Sequence, residues 1–340
     1  MIHRRFLLFC LIPVCLAGCA LLDQSTPAPT PTPFPEPEPL SLVVLNQQVV
    51  DTVCLEIRQA FPNAPGRGSF PLEESISGVL EAAGMQVVED DCTAMLAYDL
   101  QFEALAANYV PGGQCYTGLE VTGEMSLTVD SESYTSRLFA LREPADTVGT
   151  CIKDPADSFN QIYPIHENLL MNSLREAWGD RILLYGFNSD FYSETGNILQ
   201  DLGMDVLPLL LEGMRHPSAE IRKGSITTLD YLDPPPIEAL PALIAALDDP
   251  HEGGNFYRNS SDGSFFPNLD VQRAAIDTLR RCYGPLAEPA LPKLVEILKV
   301  EIERENKPAV NDIVSTLETI SGEQLGEDWE AWQEWLETQG

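Results

Sequence analysis

The sequence predicts a two-part fold, in which an α+β domain with an antiparallel sheet and helices on one face is followed by an all-α solenoid. Alternating apolar residues, typical of strands, recur in the first half of the chain, as at 52–57. In the second half, an apolar pattern of helical spacing returns three times, starting at Leu207, Leu240 and Leu291. We therefore expect the architecture to change once, near residue 204.

The first 18 residues are typical of a secretion signal. Basic Arg4 and Arg5 come first, and a short apolar run follows at 6–14. This run is too short to span a bilayer, which takes roughly 20 residues. The segment Leu16-Ala17-Gly18-Cys19 then resembles the lipobox of bacterial lipoproteins. The resemblance implies cleavage before Cys19 and a diacylglycerol on its thiol; an ordinary signal peptide or an uncleaved anchor remains the alternative.

Residues 19–40 are predicted to form a lipidated stalk. Seven prolines alternate with other residues between positions 27 and 39, which removes backbone donors and favours polyproline II. At about 3.1 Å per residue, such a segment holds the rest of the chain about 40 Å from the lipid. A proline-rich ligand for an aromatic groove is the alternative. We expect an extracytoplasmic protein on the outer face of the cell membrane, or in an outer membrane if the organism has one.

The charge of the chain restricts its partners. It has 52 acidic and 20 basic residues, a net charge of −32, and loss of Arg4 and Arg5 with the signal leaves −34. Such a charge repels nucleic-acid phosphates and anionic lipid head groups. The sequence therefore predicts no nucleic-acid partner. It predicts membrane contact through the N-terminal lipid and a protein partner of unknown identity.

Four cysteines fall in the predicted α+β domain, 41–180. In an oxidising compartment they predict two disulfides, with three connectivities possible. The non-crossing arrangement, Cys54–Cys92 and Cys115–Cys151, is favoured. A metal site is the alternative, but none of the four has a CxxC neighbour or a nearby histidine. Cys282 is expected to be a buried free thiol.

The pattern along this domain predicts the order β-α-β-β-β-α. The segments behind it are, in turn, a strand at 52–57, a helix at 71–83, a strand at 85–88, a largely apolar stretch at 94–109, a hairpin at 116–129 and 133–141, and a helix at 157–178. The helix at 71–83 has acidic residues in its first turn and stops at Gly84. Residues 181–203 are assigned to a linker.

Residues 204–325 repeat a helical hairpin whose apolar stripe cannot be buried by one copy alone, so the copies are expected to stack. The segments 217–229 (PSAEIRKGSITTL) and 269–284 (LDVQRAAIDTLRRCYG) resemble the second helix of the HEAT-repeat family, including bacterial HEAT-like repeats. The resemblance implies a curved solenoid used as a binding surface. Residues 326–340, rich in tryptophan and glutamate, are predicted to be its C-terminal capping helix, with a partner-binding patch as the alternative.

The chain departs from the repeat pattern in two ways. The basic residue that follows Ile221 is Arg222, but the equivalent residue of the next copy is Gln272, so a continuous arginine ladder is not expected. The second copy also carries an insertion, because 14 residues lead from the first helix to the second in copy one (207 to 221) and 31 in copy two (240 to 271).

The inserted residues fall in a polar, glycine-rich loop at 250–268. It carries four aromatic residues, Phe256, Tyr257, Phe265 and Phe266. These side chains either pack against the solenoid or face a partner, so the loop is the candidate partner-binding site.

The sequence shows no motif for catalysis, a cofactor or a metal. Residues 251–255 begin like a zinc-protease helix but lack the second histidine. We therefore predict no catalytic, cofactor-binding or metal-ligating residues. The chain is interpreted as a membrane-anchored cell-envelope lipoprotein that acts as a non-enzymatic, protein-binding scaffold through its HEAT-like solenoid. The alternative is a small-ligand carrier or an enzyme that uses the cleft between the two domains.

Overall fold

The computed structural model describes part of the chain, all of it within the unit Pro37–Gly340. The described residues are 43–44, 48–62, 70, 72–110, 113–130, 132–142, 164–189, 191–249, 253–258, 265–268 and 270–339. Only the backbone is described at 43–44, 48–49, 104–110, 113–119, 141–142, 164–167, 253–258, 265–268 and 270. The predicted signal, the stalk with Cys19, and Cys151 lie outside these residues.

A mixed sheet of five strands forms the N-terminal part, in the order β4-β3-β5-β6-β7. A separate antiparallel pair, β1 (Val43–Val44) and β2 (Gln48–Val49), precedes it. The strands of the sheet are β3 (Thr52–Ala60), β4 (Gln86–Val88), β5 (Ala94–Val110), β6 (Gly113–Val129) and β7 (Glu132–Arg142).

This sheet corrects the predicted antiparallel one. Strand β3 pairs in parallel with both β4 and β5, and only β5–β6 and β6–β7 are antiparallel. The reason is the helix α1 (Leu72–Ala82) between β3 and β4, because a helical crossover returns the chain in the same direction. The sheet also has five strands where the predicted order had four, since the whole stretch at 94–110 is a strand. The hairpin predicted at 116–129 and 133–141 is confirmed as β6–β7.

One face of the sheet is buried and the other is open. Along β5 the residues Leu96, Tyr98, Leu100 and Phe102 are at most 1% exposed, whereas the residues between them are mostly exposed. Helices α1 and α2 (Pro164–Trp178) pack against the sheet. The Tyr98 hydroxyl lies 2.9 Å from Ser173 Oγ of α2, and this hydrogen bond joins the two layers inside the core.

The rest of the described chain is mainly helical. After α2 come α3 (Ile182–Gly186), α4 (Tyr192–Asp201), α5 (Leu207–Gly213), α6 (Ala219–Leu229), α7 (Leu240–Ala246), α8 (Asp270–Thr278), α9 (Leu291–Glu303), α10 (Lys307–Ser321) and α11 (Trp329–Gln339). Within the residues described, no helix has the length and apolarity needed to cross a membrane.

Residues 181–203, assigned from the sequence to a linker, instead form the helices α3 and α4. Leu183, Leu184 and Leu199 are fully buried there, so these residues belong to the core. The pair crosses closely, because a Cβ built on Gly186 of α3 would overlap the Thr195 hydroxyl of α4. The next pair repeats this crossing, with Gly213 of α5 against Ser225 of α6. The helical region therefore begins with a pair that the sequence pattern did not reveal.

The three predicted helical hairpins are present as α5–α6, α7–α8 and α9–α10. Their helices contact each other within the pairs, and the second helices also contact from pair to pair, α4 with α6, α6 with α8, and α8 with α10. The final helix, α11, packs on α9 and buries Trp332 completely, with its indole Nε1 donating to the Gly326 carbonyl at 2.9 Å.

The disulfide predicted between Cys54 and Cys92 is confirmed. It joins β3 to the segment between β4 and β5, with 5.5 Å between the two Cα atoms and a sequence separation of 38 between the cysteines. The predicted Cys115–Cys151 bond lies outside the described side chains. Cys282 is a free thiol, as predicted, but it is half-buried where full burial was expected.

Candidate interaction surface

The inserted segment of the second helical hairpin contains a β-hairpin. Its strands are β8 (Gly253–Arg258) and β9 (Phe265–Asn268), which pair antiparallel. The backbone register sets Tyr257 opposite Phe266 and Phe256 opposite Pro267. All four predicted aromatic positions, Phe256, Tyr257, Phe265 and Phe266, therefore lie on the paired strands of one ribbon, although their side chains lie outside the described atoms.

An arginine closes the junction between α5–α6 and α7–α8, the first and second of the three predicted helix pairs. The guanidinium of Arg222, at the start of α6, donates from Nε and NH2 to the two carboxylate oxygens of Asp249, at 2.6 and 2.8 Å. Its NH1 donates to the carbonyls of His216 and Pro217, at 2.8 and 2.7 Å. Both side chains are largely buried, 14% and 7% exposed. Arg222 thus joins the turn of its own pair to the turn of the next pair with a bidentate ion pair.

The next junction lies between the second pair, α7–α8, and the third pair, α9–α10. There, Gln272 occupies the position in α8 that Arg222 has in α6. Gln272 Nε2 donates to the Leu247 carbonyl at 2.6 Å, which reproduces the contact of Arg222 with its own turn. A glutamine side chain is shorter and has no charge, so it does not supply the second half of the arginine's bridge. A groove of about 320 Å³ lies at this junction, between the Leu247–Asp249 turn and α9.

The groove is polar and carries net negative charge. Its lining residues are Leu247, Asp248, Asp249, Gln272, Lys293, Glu296, Ile297, Val300, Glu301 and Arg304. Four carboxylates and two cations give a net charge of −2. Lys293 Nζ lies 2.5 Å from Asp248 and 3.1 Å from Glu296, and its hydrogen bond to Asp248, more than its other contacts, raises the Lys293 pKa. Asp248 and Glu296 are 66% and 69% exposed at the mouth of the groove.

The far wall of the groove contains a buried carboxylate. Glu301 is 2% exposed and accepts hydrogen bonds from Arg304 NH1 at 3.1 Å and Asn306 Nδ2 at 2.6 Å. It lies ten residues after Leu291, nearly the distance that separates Asp249 from Leu240. Glu301 nevertheless lies inside α9 and binds Arg304 and Asn306 of its own pair, whereas Asp249 lies in a turn and binds the arginine of the preceding pair.

The two departures from the repeat pattern meet at this groove. The inserted segment lies between Asp249 and Gln272 in sequence, and both of these residues line the groove. The substitution of arginine by glutamine and the added hairpin thus change the same junction of the helical region. Sequence comparison of the copies identified both departures but not the other groove residues, because Lys293, Glu296 and Arg304 carry no repeat signature.

A second groove lies beside the final helix. It has a volume of about 330 Å³ and is lined by Glu288, Pro289, Leu291, Pro292, Trp335, Leu336 and Gln339. The neighbouring Trp329 ring packs under Lys299, whose Nζ is 4.3 Å from the ring centroid. Trp335 and Trp332 meet edge to face, 6.0 Å apart. The tryptophans of 326–340 therefore serve first to attach α11 to α9.

The described residues include no group of side chains suited to a metal ion. The histidine whose side chain is described in the helical region, His216, makes a structural contact. No group of three or more His, Cys, Asp or Glu side chains within the described residues has the arrangement needed for a metal ion. His216 Nδ1 accepts a hydrogen bond from the Ser218 amide at 3.1 Å. Burial, and then the Arg222 charge, lower the His216 pKa. Through the Ser218 contact, His216 helps to order the turn between α5 and α6.

No family model and no curated protein matches this chain.

Proposed function

We propose that this chain is an extracytoplasmic lipoprotein that acts as a non-enzymatic scaffold, with the stacked helix pairs of a HEAT-like solenoid binding a protein partner. The observation that carries the proposal is the coincidence of the inserted β-hairpin and the arginine-to-glutamine change at one junction. A packing function alone would favour the closed junction that Arg222 makes, whereas an open polar groove beside an added ribbon suits recognition.

Three further features support this function. The successive contacts of α4, α6, α8 and α10 are those of stacked pairs, and such arrays use their extended surface for binding. The Cys54–Cys92 disulfide fits an oxidising compartment, as does the secretion signal. The charge of −32 keeps a tethered protein soluble and disfavours anionic partners. The lipid on Cys19 and the proline-rich stalk would hold the scaffold at the outer face of its membrane.

The anchoring part of the proposal is tested by Cys19→Ala. Because the thiol is the proposed site of lipid attachment, the variant should not incorporate labelled fatty acid and should keep its first 18 residues. Mass spectrometry of the N-terminus and metabolic labelling measure the two effects. A Cys19→Ala chain that is cleaved normally and still needs detergent for release from the membrane would contradict the lipoprotein assignment.

The binding part is tested by site-specific photocrosslinking in intact cells. A photoreactive phenylalanine analogue is placed at Phe266 in the hairpin and, as a matched control, at Tyr231, an aromatic of the same helical region that is 60% exposed. Crosslinking from Phe266 to one discrete protein, with none from Tyr231, is expected. Equal products from both positions, or none from Phe266, would overturn the proposed binding surface.

A further inference from the structure

The first junction shows what the helical region uses to close the space between two pairs. There, one guanidinium meets a carboxylate on one side and two backbone carbonyls on the other, so its nitrogens donate in two directions. Guanidinium suits such a place because its five donors lie in one rigid plane. At the second junction Gln272 keeps the contact with its own turn, at the Leu247 carbonyl, but no guanidinium extends from it towards the third pair.

The second junction offers acceptors that the described residues do not satisfy. Gln272 donates from Nε2, but its Oε1 has no donor among the residues that the structure describes. Asp248 and Glu296 each use one carboxylate oxygen on Lys293 Nζ and are largely exposed. The groove, of about 320 Å³, is thus lined by Gln272, whose amide oxygen has no donor among the described residues, and by the two exposed carboxylates of Asp248 and Glu296.

The charge of the groove favours a cation, and the number of its acceptors favours a cation with several donors. The lining residues carry a net charge of −2, or −1 when Arg222, which pairs with Asp249, is included, so a single incoming positive charge is favoured even beside Lys293 and Arg304. Lys293 already supplies a compact ammonium to Asp248 and Glu296. A ligand that satisfies Gln272 Oε1 and a carboxylate together needs donors that point in two directions, as Arg222 has.

We propose that the groove at the second junction binds the guanidinium of an arginine side chain from the protein partner, which takes the place left by the missing arginine. The inference rests on the proposed scaffold function, since it names the chemistry of the partner at the same surface. An arginine in this position would bind next to Asp249 and Gln272, the two groove residues between which the insertion lies in sequence. The partner would then be held by its backbone or aromatic contacts with the hairpin and by one charged anchor in the groove.

The probe is the peptide acetyl-Gly-Arg-Gly-amide, titrated into the full chain in detergent with methyl NMR of Leu247 and Ile297 as the readout. Its control is the citrulline peptide, which has the same shape without the charge. We expect saturable shifts with the arginine peptide and at least tenfold weaker binding of the citrulline peptide. Gln272→Arg, which fills the groove from within, should abolish binding. Gln272→Ala, which removes the amide oxygen but leaves the groove open, should weaken binding without abolishing it, with the unfolding midpoint of each variant checking the fold. Equal binding of both peptides, no binding of either, or binding unchanged in Gln272→Arg would overturn the proposal.

Failure of this inference is distinguishable from failure of the proposed function. If Gln272→Arg leaves crosslinking from Phe266 unchanged, the scaffold function stands and the arginine anchor is wrong. If the arginine peptide binds as expected while Phe266 captures no protein, the groove is a guanidinium site but the scaffold function fails.

Discussion

Arg222 and Gln272 occupy equivalent positions in successive helix pairs and differ in what they hold together. Arg222→Gln places in the first junction the residue that the second already has. The variant leaves Asp249, 7% exposed, without the guanidinium that it binds. Removing one partner of a buried ion pair costs roughly 3–5 kcal/mol, so we expect the free energy of unfolding to fall by about 3 kcal/mol in urea denaturation.

The matched control for this prediction is Arg181→Gln. Arg181 pairs with Glu212 at 2.7 Å, but these side chains are 50% and 33% exposed. Solvent screens such a pair, and its loss is expected to cost less than about 1 kcal/mol. Equal losses in the two variants would show that Arg222 is not the closing contact of its junction.

Cys282 is a second residue whose surroundings make a measurable prediction. Its thiol donates to Asp230 Oδ1 at 3.4 Å, and burial, followed by the Asp230 charge, raises the Cys282 pKa to about 12. An unfolded cysteine titrates near pH 8.5. Because the folded state holds the proton more tightly, the stability that this group contributes is present below about pH 8.5 and is lost as the pH rises towards 12.

We therefore expect Cys282→Ala to flatten the alkaline fall in stability. The urea midpoint should decline less between about pH 8.5 and pH 11 in the variant than in the parent chain. Tyr185 contributes to the decline in both, since burial raises its pKa to about 12. Identical pH profiles of the two chains would contradict the environment described for Cys282.

At the scale of elements, the helix pairs are held by close crossings of small residues. Alanine in place of a helical glycine normally adds roughly 0.5–1 kcal/mol of stability. At Gly213 the sign should reverse, because the new Cβ would overlap the Ser225 hydroxyl in the facing helix. We expect Gly213→Ala to lower the free energy of unfolding by about 1–3 kcal/mol.

Gly196→Ala provides the comparison within the same region. Gly196 lies inside α4, and a Cβ built there meets nothing within 4 Å. This variant should be neutral or slightly stabilising for the reason that makes alanine a better helix former. A stabilising Gly213→Ala, or a destabilising Gly196→Ala, would show that the crossings do not have the described geometry.

The elements also show how far the sequence alone predicts the fold. The helix pairs at 207–229, 240–278 and 291–321 could be predicted because their Leu-Pro starts and apolar spacing repeat. The pair at 182–201 has no Leu-Pro start, and its first helix has only five residues, so it resembled a linker. Strands β3 and β4 and the helix between them were predicted, but their parallel pairing was not, because the order of the elements was interpreted without the direction that a crossover imposes.

The candidate site was predictable only in part for a similar reason. The loop aromatics and Gln272 differ visibly from the repeat, and these differences pointed to the second hairpin. The other walls of the groove come from α9, 20 or more residues later in the chain, and Lys293 and Glu296 have the appearance of ordinary surface charges. Their role depends on the stacking of the third pair on the second, which periodicity indicates but does not position.

At the scale of the whole molecule, the described chain from 164 onward links the sheet to the helical region without a break in the core. Helix α2 packs against β7 and against α3 and α4, and these helices contact α6. Hydrogen bonds join α2 to the sheet, between Tyr98 of β5 and Ser173. The Glu176 carboxylate of α2 also accepts hydrogen bonds from Tyr134 and Ser136 of β7. The sheet thus packs against α2, and α2 against the pair α3–α4, which in turn packs against α5–α6. The insertion lies further along the helical region, in the pair α7–α8.

The central claim is that the inserted hairpin binds a partner rather than supporting the fold, and deletion of residues 253–266 tests it most directly. Stability of a repeat array comes mainly from the pairs and their interfaces, and shortening a surface loop changes closure entropy by only about 0.6 kcal/mol per twofold change in length. We therefore expect the melting temperature to stay almost unchanged, while capture of the partner from the envelope with a chemical crosslinker, which does not depend on Phe266, is lost. If the aromatics are instead packed into the array, at roughly 1.5–3 kcal/mol each, the deletion would lower the melting temperature clearly. A large fall in melting temperature with partner capture intact would contradict the account.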